Sequence, residues 1–198
     1  MAGSNKYVVV IGIDNILRCG LFHLIEAECI KRNLIPLYSA NDHDFWMRIP
    51  EQHSGPFNLA ILCLGVDDFF PTWLGTFLTL LRKTNGNVLI FTDSHDLLNR
   101  PKKNLLARVC ELEHILDVSM PVSYLSFLVE YYMSRDCSVR GNCKMSMREI
   151  AVIDGFLNGI DAVCHSAWMG ITTKTLYQHR KNCANKLGVR NLKELLRL

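Results

Sequence analysis

The segment from residue 146 to residue 198 is divided by helix-capping sequences, and these limit what the segment can fold into. Ser146 and Glu149 have the spacing of a capping box, in which each side chain binds the other residue's free backbone amide. Asn191 and Glu194 repeat that spacing. Gly188 lies between the two boxes, at a position suited to a left-handed helix end. The segment is therefore expected to form short helices joined by tight turns.

Four such helices are predicted. The first begins after Ser146 and ends at Gly159, while the second is short and capped by Asp161. The third is capped by Thr172 and runs to about residue 187, and the last begins after Asn191. Apolar residues at core spacing in the first helix are Ile150, Ile153, Phe156 and Leu157.

The third helix has one apolar side and one polar, basic side. A 3.6-residue repeat places Leu176, Cys183 and Leu187 on the apolar side. The other side carries Lys174, Tyr177, Gln178, Lys181 and Asn185. Such a helix can pack on a small core while presenting hydrogen-bond donors to a DNA major groove. We therefore interpret it as a recognition helix, with a merely solvated basic surface as the alternative.

These residues resemble the LuxR-type DNA-binding domain of the NarL/FixJ class of regulators. The resemblance runs without a gap from residue 146 to residue 195. Its matching positions include Arg148, Glu149, Gly159, Ile171, Thr172, Thr175, His179, Asn182 and the run 186–189. The sequence departs from the family at residues 162–166, which read Ala-Val-Cys-His-Ser, and at Tyr177, where the family usually has lysine. The resemblance implies a four-helix helix-turn-helix domain that binds double-stranded DNA.

Roles within this domain follow from the position of each residue on the third helix. The exposed side near the helix start is expected to contact base edges through Tyr177, Gln178 and Lys181. The flanks are expected to contact phosphates through Thr172, Lys174, Thr175, His179, Arg180 and Lys186. One module gives limited affinity, so two are expected on adjacent half-sites. In the LuxR family the last helix pairs two domains, which implies dimerisation through Leu192, Leu195 and Leu196.

The charge of the chain is unevenly distributed. The whole chain carries a net charge of +3, but residues 137–198 hold ten Lys or Arg and four Asp or Glu, a net +6. The remaining 136 residues are therefore net acidic, at −3. A basic C-terminal part on an acidic body suits binding of a phosphate backbone by the smaller part.

The N-terminal part alternates short apolar runs with longer amphipathic ones. Strands are predicted at 7–13, 34–39, 58–64, 87–92 and 114–118, and helices at 16–30, 42–49, 72–81 and 125–133. This alternation favours a parallel, doubly wound α/β sheet, a (βα)5 domain at residues 1–133. A polar linker at 134–145 is expected to join it to the all-α helix-turn-helix domain at 146–198.

The N-terminal part resembles the receiver domain of response regulators, but with a degenerate phosphorylation site. A receiver needs an aspartate nucleophile, paired acidic residues that hold magnesium, and a lysine that neutralises the phosphoryl charge. On this resemblance Asp14 has lost its acidic partner, Cys63 replaces the nucleophile, Thr92 matches, and Asp117 lies near the lysine position. We therefore expect no phosphorylation by the usual aspartyl route. Asp14 could instead cap a helix, and Cys63 could be a buried strand thiol.

Two modes of control stay open on the sequence alone. The missing aspartate and the Gly188-Val189 ending resemble auxiliary regulators that act as heterodimer partners of the response regulator RcsB. A homodimer or a heterodimer with another LuxR-type regulator is therefore expected. Alternatively, the N-terminal domain binds a small effector in the pocket vacated by the acidic cluster.

Other classes of function lack their sequence motifs. The chain has no Gly-rich phosphate loop, nucleophile elbow or strand-end carboxylate pair, so no catalytic activity and no cofactor are expected.

The eight cysteines include no C-x-x-C pair, which favours reduced thiols. Cys137, Cys143, Cys164 and His165 lack the spacing of a zinc site, so no metal is expected, and His165 is expected to be packed in a core. The sequence shows no signal peptide, which favours a cytoplasmic protein.

Overall fold

The computed structural model describes residues 7–12, 16–39, 57–65, 68–84, 87–92, 97–109, 115–117, 119–134 and 144–198. The chain divides into two compact units, of which the first comprises Met1–Val66, Lys83–Leu97 and Glu113–Gly141. The second comprises Asp67–Arg82, Leu98–Leu112 and Asn142–Leu198. The second unit thus combines the C-terminal segment with two stretches that precede it in the chain. The domain boundaries at residues 133 and 146 remain a prediction from the sequence.

The first unit is built on a parallel sheet, as the alternating sequence pattern predicts. Its five strands within the described ranges are β1 (Tyr7–Ile11), β2 (Ile35–Ser39), β3 (Leu59–Leu64), β4 (Val88–Thr92) and β5 (Ile115–Asp117). Their order is β2-β1-β3-β4-β5, and all adjacent pairs are parallel. The predicted parallel α/β sheet is therefore confirmed. The predicted helix at 42–49 lies outside the described residues.

Two helices of the first unit pack with the sheet around one hydrophobic core. They are α1 (Ile16–Arg32) and α4 (Val122–Ser134). Apolar residues from one face of the strands and from both helices form this core, including Val10, Ile61, Phe91, Ile25 and Val129. Their alternation along each strand matches the two-residue period of a sheet with one face turned to these helices.

The second unit contains two helices from the middle of the chain, α2 (Phe70–Lys83) and α3 (Arg100–Val109). The sequence pattern predicts α2 but not α3, because α3 opens with a polar run and buries few residues. Asn99 caps α3, since its side-chain Oδ1 accepts the backbone amide of Lys102 at 3.2 Å. Pro101 follows in the first turn, where a missing amide hydrogen costs nothing. Asn99 and Pro101 are thus the sequence signal for α3.

The C-terminal part of the second unit follows the predicted order of helices. It contains α5 (Met147–Leu157), α6 (Ala162–Trp168), α7 (Thr173–Leu187) and a last helix of 3-10 type (Leu192–Arg197). The first three are α-helices, and the fourth is the tighter 3-10 form. Within the described part of the chain, we find no helix that is long and apolar enough to cross a membrane.

Candidate nucleic-acid interface

Helix α5 begins with the predicted capping box. The backbone amide of Glu149 donates to Ser146 Oγ at 3.3 Å, and the amide of Ser146 donates to Glu149 Oε2 at 2.8 Å. Gly159 follows the helix with a φ of +69°, the left-handed conformation expected there. Ile150 and Ile153 are buried, as the core spacing predicts, whereas Phe156 and Leu157 are partly exposed.

Helix α6 is held by its cap and by a buried histidine. Asp161 Oδ1 accepts the backbone amides of Val163 and Cys164 at 2.8 and 3.1 Å. His165 is fully buried, which confirms that it is a packed histidine. Its ring leaves no room at Gly155 of α5, where an added Cβ would lie 2.5 Å from His165 Cε1. A glycine in one helix therefore allows the imidazole of the next to pack, in a segment where the sequence departs from its resembled family.

The turn into α7 combines a glycine with a threonine cap. Gly170 has a φ of +64°, and the amide of Ile171 donates to the carbonyl of Ser166 at 3.0 Å. The amide of Thr175 then donates to Thr172 Oγ1 at 3.1 Å. Thr172 is thereby the N-cap of α7, as predicted. These local bonds fix the direction in which α7 leaves the turn.

The two predicted sides of α7 are present. Leu176, Cys183 and Leu187 are buried on one side. Burial raises the pKa of the Cys183 thiol to about 12, so it stays protonated and apolar at neutral pH. Side chains exposed on the other side include Lys174, Tyr177, Gln178, Lys181 and Asn185. The exposed amide of Gln178 donates to Asn182 Oδ1 at 3.0 Å, which orients it along the helix.

Arg180, a predicted phosphate contact, is folded back onto its own unit. One guanidinium nitrogen lies 3.3 Å from His165 Nδ1 and 3.5 Å from the carbonyl oxygen of Ile160. The guanidinium carbon lies 5.2 Å from the ring centre of Phe156 and 5.8 Å from that of Tyr177. Burial, and then the charge of Arg180, lowers the pKa of His165, which keeps this imidazole neutral at physiological pH. Arg180 thus joins α5 and α6 to the exposed side of α7.

The other predicted phosphate contacts differ in how free their side chains are. Lys174 and Thr175 are exposed near the start of α7, and His179 is partly buried. The hydroxyls of Thr172 and Thr175 lie 2.8 Å apart and bind each other. Lys186, at the helix end, forms a salt bridge with Glu149 at 2.7 Å.

The last helix contributes mainly to the core of its own unit. Leu192 and Leu195 are buried, so neither is available as a surface for a second chain. Leu196 is 44% exposed. Of the three predicted dimerisation residues, the structure leaves only Leu196 accessible, because the 3-10 turn directs the other two inward.

The predicted degenerate phosphorylation site is only partly assembled. Thr92 and Asp117 are both buried, and Thr92 Oγ1 donates to Asp117 Oδ2 at 3.3 Å. Asp117 Oδ1 also accepts the amide of Ser119 at 2.8 Å. Cys63 pairs with Phe91, the residue before Thr92 in β4, and its side chain lies in the apolar core. The structure therefore does not bring Cys63 to this pair.

Leu64 is the β3 residue opposite Thr92 in the sheet. It is buried and carries no carboxylate. Asp14 lies outside the described residues. Among the described strands, the position next to Thr92 and Asp117 is thus occupied by an apolar side chain rather than an acidic nucleophile.

Comparison with known proteins gives matches only among solved structures. No protein-family profile and no curated protein matches the chain. RcsB from Salmonella enterica serovar Typhimurium, bound to promoter rprA, is 17% identical with a TM-score of 0.40, and the match covers 98% of each chain. FixJ from B. japonicum is 16% identical with a TM-score of 0.46, over 98% of this chain and 96% of that one. The response regulator ChrA is 18% identical with a TM-score of 0.41, over 98% and 95%.

Proposed function

We propose that this chain is a sequence-specific, duplex-DNA-binding transcriptional regulator. The observation that carries the proposal is the build of α7. This helix is capped at Thr172 and Gly188, anchored by buried residues along one side, and exposes Tyr177, Gln178 and Lys181 on the other. A helix supported in this way by two others can enter a major groove with its exposed side against base edges.

The three exposed side chains are chemically suited to different bases. Gln178 can form two hydrogen bonds with adenine, Lys181 can reach the acceptors of guanine, and the Tyr177 ring can contact a thymine methyl. Exposed Lys174 and the hydroxyls of Thr172 and Thr175 are suited to phosphates, which set the register on the duplex. Arg180 and Lys186 are engaged within the unit, so their contact with phosphate would require these side chains to release their partners.

Binding to paired half-sites requires two modules. The chain is proposed to act as a homodimer or as a heterodimer with another LuxR-type regulator. Leu196 is the exposed apolar residue of the last helix and can contribute to such a contact.

Control by the usual aspartyl phosphorylation is not part of the proposal. Neither Cys63 nor Leu64, at the end of β3, is a carboxylate. Asp117 already binds Thr92 and the backbone of Ser119, and it is buried. Leu64 has no carboxylate to accept a phosphoryl group, and the carboxylate of Asp117 is already hydrogen-bonded and buried.

Binding-site selection from a random duplex library, with the full chain alone and mixed with a LuxR-type partner, tests this function. We expect one enriched motif of a few base pairs for the wild type. Lys181→Ala should lose preference at one base position, with a loss of about 1–3 kcal/mol in binding free energy. Lys174→Ala should weaken binding to all duplex sequences to a similar degree. Absence of an enriched motif would contradict the proposed function. A change of the motif by Lys174→Ala would contradict the assignment of Lys174 to phosphate.

A further inference from the structure

A cavity of about 610 Å³ lies beside the exposed side of α7, where the chain turns into the 3-10 helix. Two of its lining residues, Arg190 and Lys193, lie beyond the end of α7. The other charged and aromatic residues of its lining are Phe156, Tyr177, Arg180 and Lys181. The size falls within the range of roughly 300–1,000 Å³ that is typical of small-molecule sites.

The lining of the cavity is strongly basic. It contains four cationic side chains and, among the residues that the structure describes, no carboxylate. Glu194, the acidic residue nearest in sequence to Arg190 and Lys193, accepts the backbone amide of Arg190 at 3.2 Å and does not line the cavity. Lys193 and Arg190 are both exposed to solvent. The positive potential of this concave surface favours an anionic ligand.

One wall of the cavity is aromatic, and Arg180 lies against it. The guanidinium of Arg180 lies against the rings of Phe156 and Tyr177, at 5.2 and 5.8 Å. The same guanidinium also contacts the carbonyl oxygen of Ile160 and His165 Nδ1. The Tyr177 ring remains 57% exposed. An exposed aromatic face can stack on a planar heterocycle.

We propose that this cavity binds a mononucleotide. Lys181, Arg190 and Lys193 would hold its phosphate, while its base would stack on Tyr177. A nucleotide contains an anionic phosphate, which matches the basic residues of the cavity, and a planar base, which matches its aromatic wall.

A regulatory consequence rests on the proposed function. Tyr177 and Lys181 are also the side chains proposed to read bases. A nucleotide in the cavity would therefore compete with duplex DNA for α7.

Isothermal titration calorimetry of the full chain, without DNA, tests the nucleotide site directly. The probes are AMP and GMP, with inorganic phosphate and adenosine as partial ligands. We expect saturable one-to-one binding of a nucleotide, and binding weaker by about tenfold or more for either partial ligand, because each lacks one of the two contacts. Absence of saturable nucleotide binding, or inorganic phosphate binding as tightly as the nucleotide, would overturn the proposal.

A matched pair of double variants separates the site from general charge. Arg190→Gln/Lys193→Gln removes one Arg and one Lys from the cavity, whereas Arg100→Gln/Lys103→Gln removes the same charges from α3. The first should weaken nucleotide binding by about tenfold or more, and the second should leave it nearly unchanged. An equal loss in both pairs would overturn the site. Circular dichroism of both pairs verifies that each is folded.

Competition at constant ionic strength tests the regulatory consequence. A labelled duplex carrying the selected motif is titrated with the full chain, with and without saturating nucleotide. The nucleotide should raise the apparent dissociation constant of the duplex. Unchanged duplex affinity beside a calorimetrically proven nucleotide site would refute competition. No duplex binding in either condition, by the chain alone and mixed with a LuxR-type partner, would refute the proposed function and leave the calorimetric result intact.

Discussion

The ammonium group of Lys186 lies 2.7 Å from Oε1 of Glu149, whose Oε2 also accepts the backbone amide of Ser146. This carboxylate therefore caps α5 and at the same time holds the C-terminal end of α7. Glu149 is only 14% exposed, while Lys186 is 51% exposed. Lys186, which the sequence pattern predicts to contact phosphate, thus also joins α7 to α5.

Lys186→Ala should lower the stability of the second unit. The expected loss is about 0.5–1 kcal/mol, because the lysine is half exposed and solvent screens its charge. Urea unfolding of the full chain measures the change, and Lys174→Ala, which removes an exposed lysine from the same helix, is the control. Equal stability of the two variants would show that the pair with Glu149 contributes nothing.

Glu149→Gln should give a pH-dependent loss of stability. Burial alone would raise the pKa of Glu149, but its bonds with Lys186 and Ser146 outweigh burial and lower the pKa below the ordinary 4.5. A carboxylate with a depressed pKa in the folded state stabilises the protein above about pH 4.5, and this contribution is lost as the pH falls through the folded-state value. The wild type should therefore be more stable than the variant at pH 7, by about 1 kcal/mol, with a smaller difference near pH 3. A difference that does not vary with pH would contradict this account.

Gly155→Ala should destabilise the contact between α5 and α6. The added methyl would lie 2.5 Å from the ring of His165, which is fully buried. We expect a net loss of about 1–2 kcal/mol, because overpacking outweighs the better helix propensity of alanine. Gly20→Ala is the matched control, since nothing lies within 4 Å of its added methyl and alanine should stabilise that helix.

A double-mutant cycle with His165→Ala tests the cause of that loss. If the clash is with the imidazole, Gly155→Ala should cost much less in the His165→Ala background. An unchanged cost would place the strain elsewhere in α5.

Incubation of the full chain with acetyl phosphate and magnesium should leave its mass unchanged. The β3 end offers Cys63 and Leu64 in place of an aspartate, and Asp117 is buried in bonds with Thr92 and Ser119. Intact mass spectrometry measures the outcome, with an active receiver protein as the positive control. A stable adduct of one phosphoryl group on exposed Asp68 or on neighbouring Asp67 would contradict the expectation.

The helix ends of the C-terminal part could be predicted from the sequence because caps are local. Ser146, Asp161 and Thr172 each bind amides two or three residues away, so the pattern contains both partners. The strands could be predicted equally well, since each is a short run made mainly of apolar residues. Helix α3 was missed because its first turn, Arg100 to Lys103, is polar, and its cap at Asn99 is an isolated signal.

The surroundings of the site residues could not be predicted because their partners are distant in sequence. Arg180 contacts His165 from 15 residues away, and Lys186 contacts Glu149 from 37 residues away. The surroundings of Cys63 could not be predicted either. A shift of one residue in the register of a strand moves each side chain to the other face of the sheet. Residue type and spacing identified α7, but only the tertiary contacts show which of its cations are engaged.

The most direct test of the central claim is the salt dependence of duplex binding by the full chain, alone and mixed with a LuxR-type partner. Fluorescence polarisation with the selected motif and with a scrambled duplex of equal length gives both affinity and preference. We predict tighter binding to the selected motif and a steep loss of affinity for both duplexes between 50 and 200 mM salt, by about tenfold or more. No preference between the duplexes and no dependence on salt, with or without the partner, would contradict a recognition role for α7.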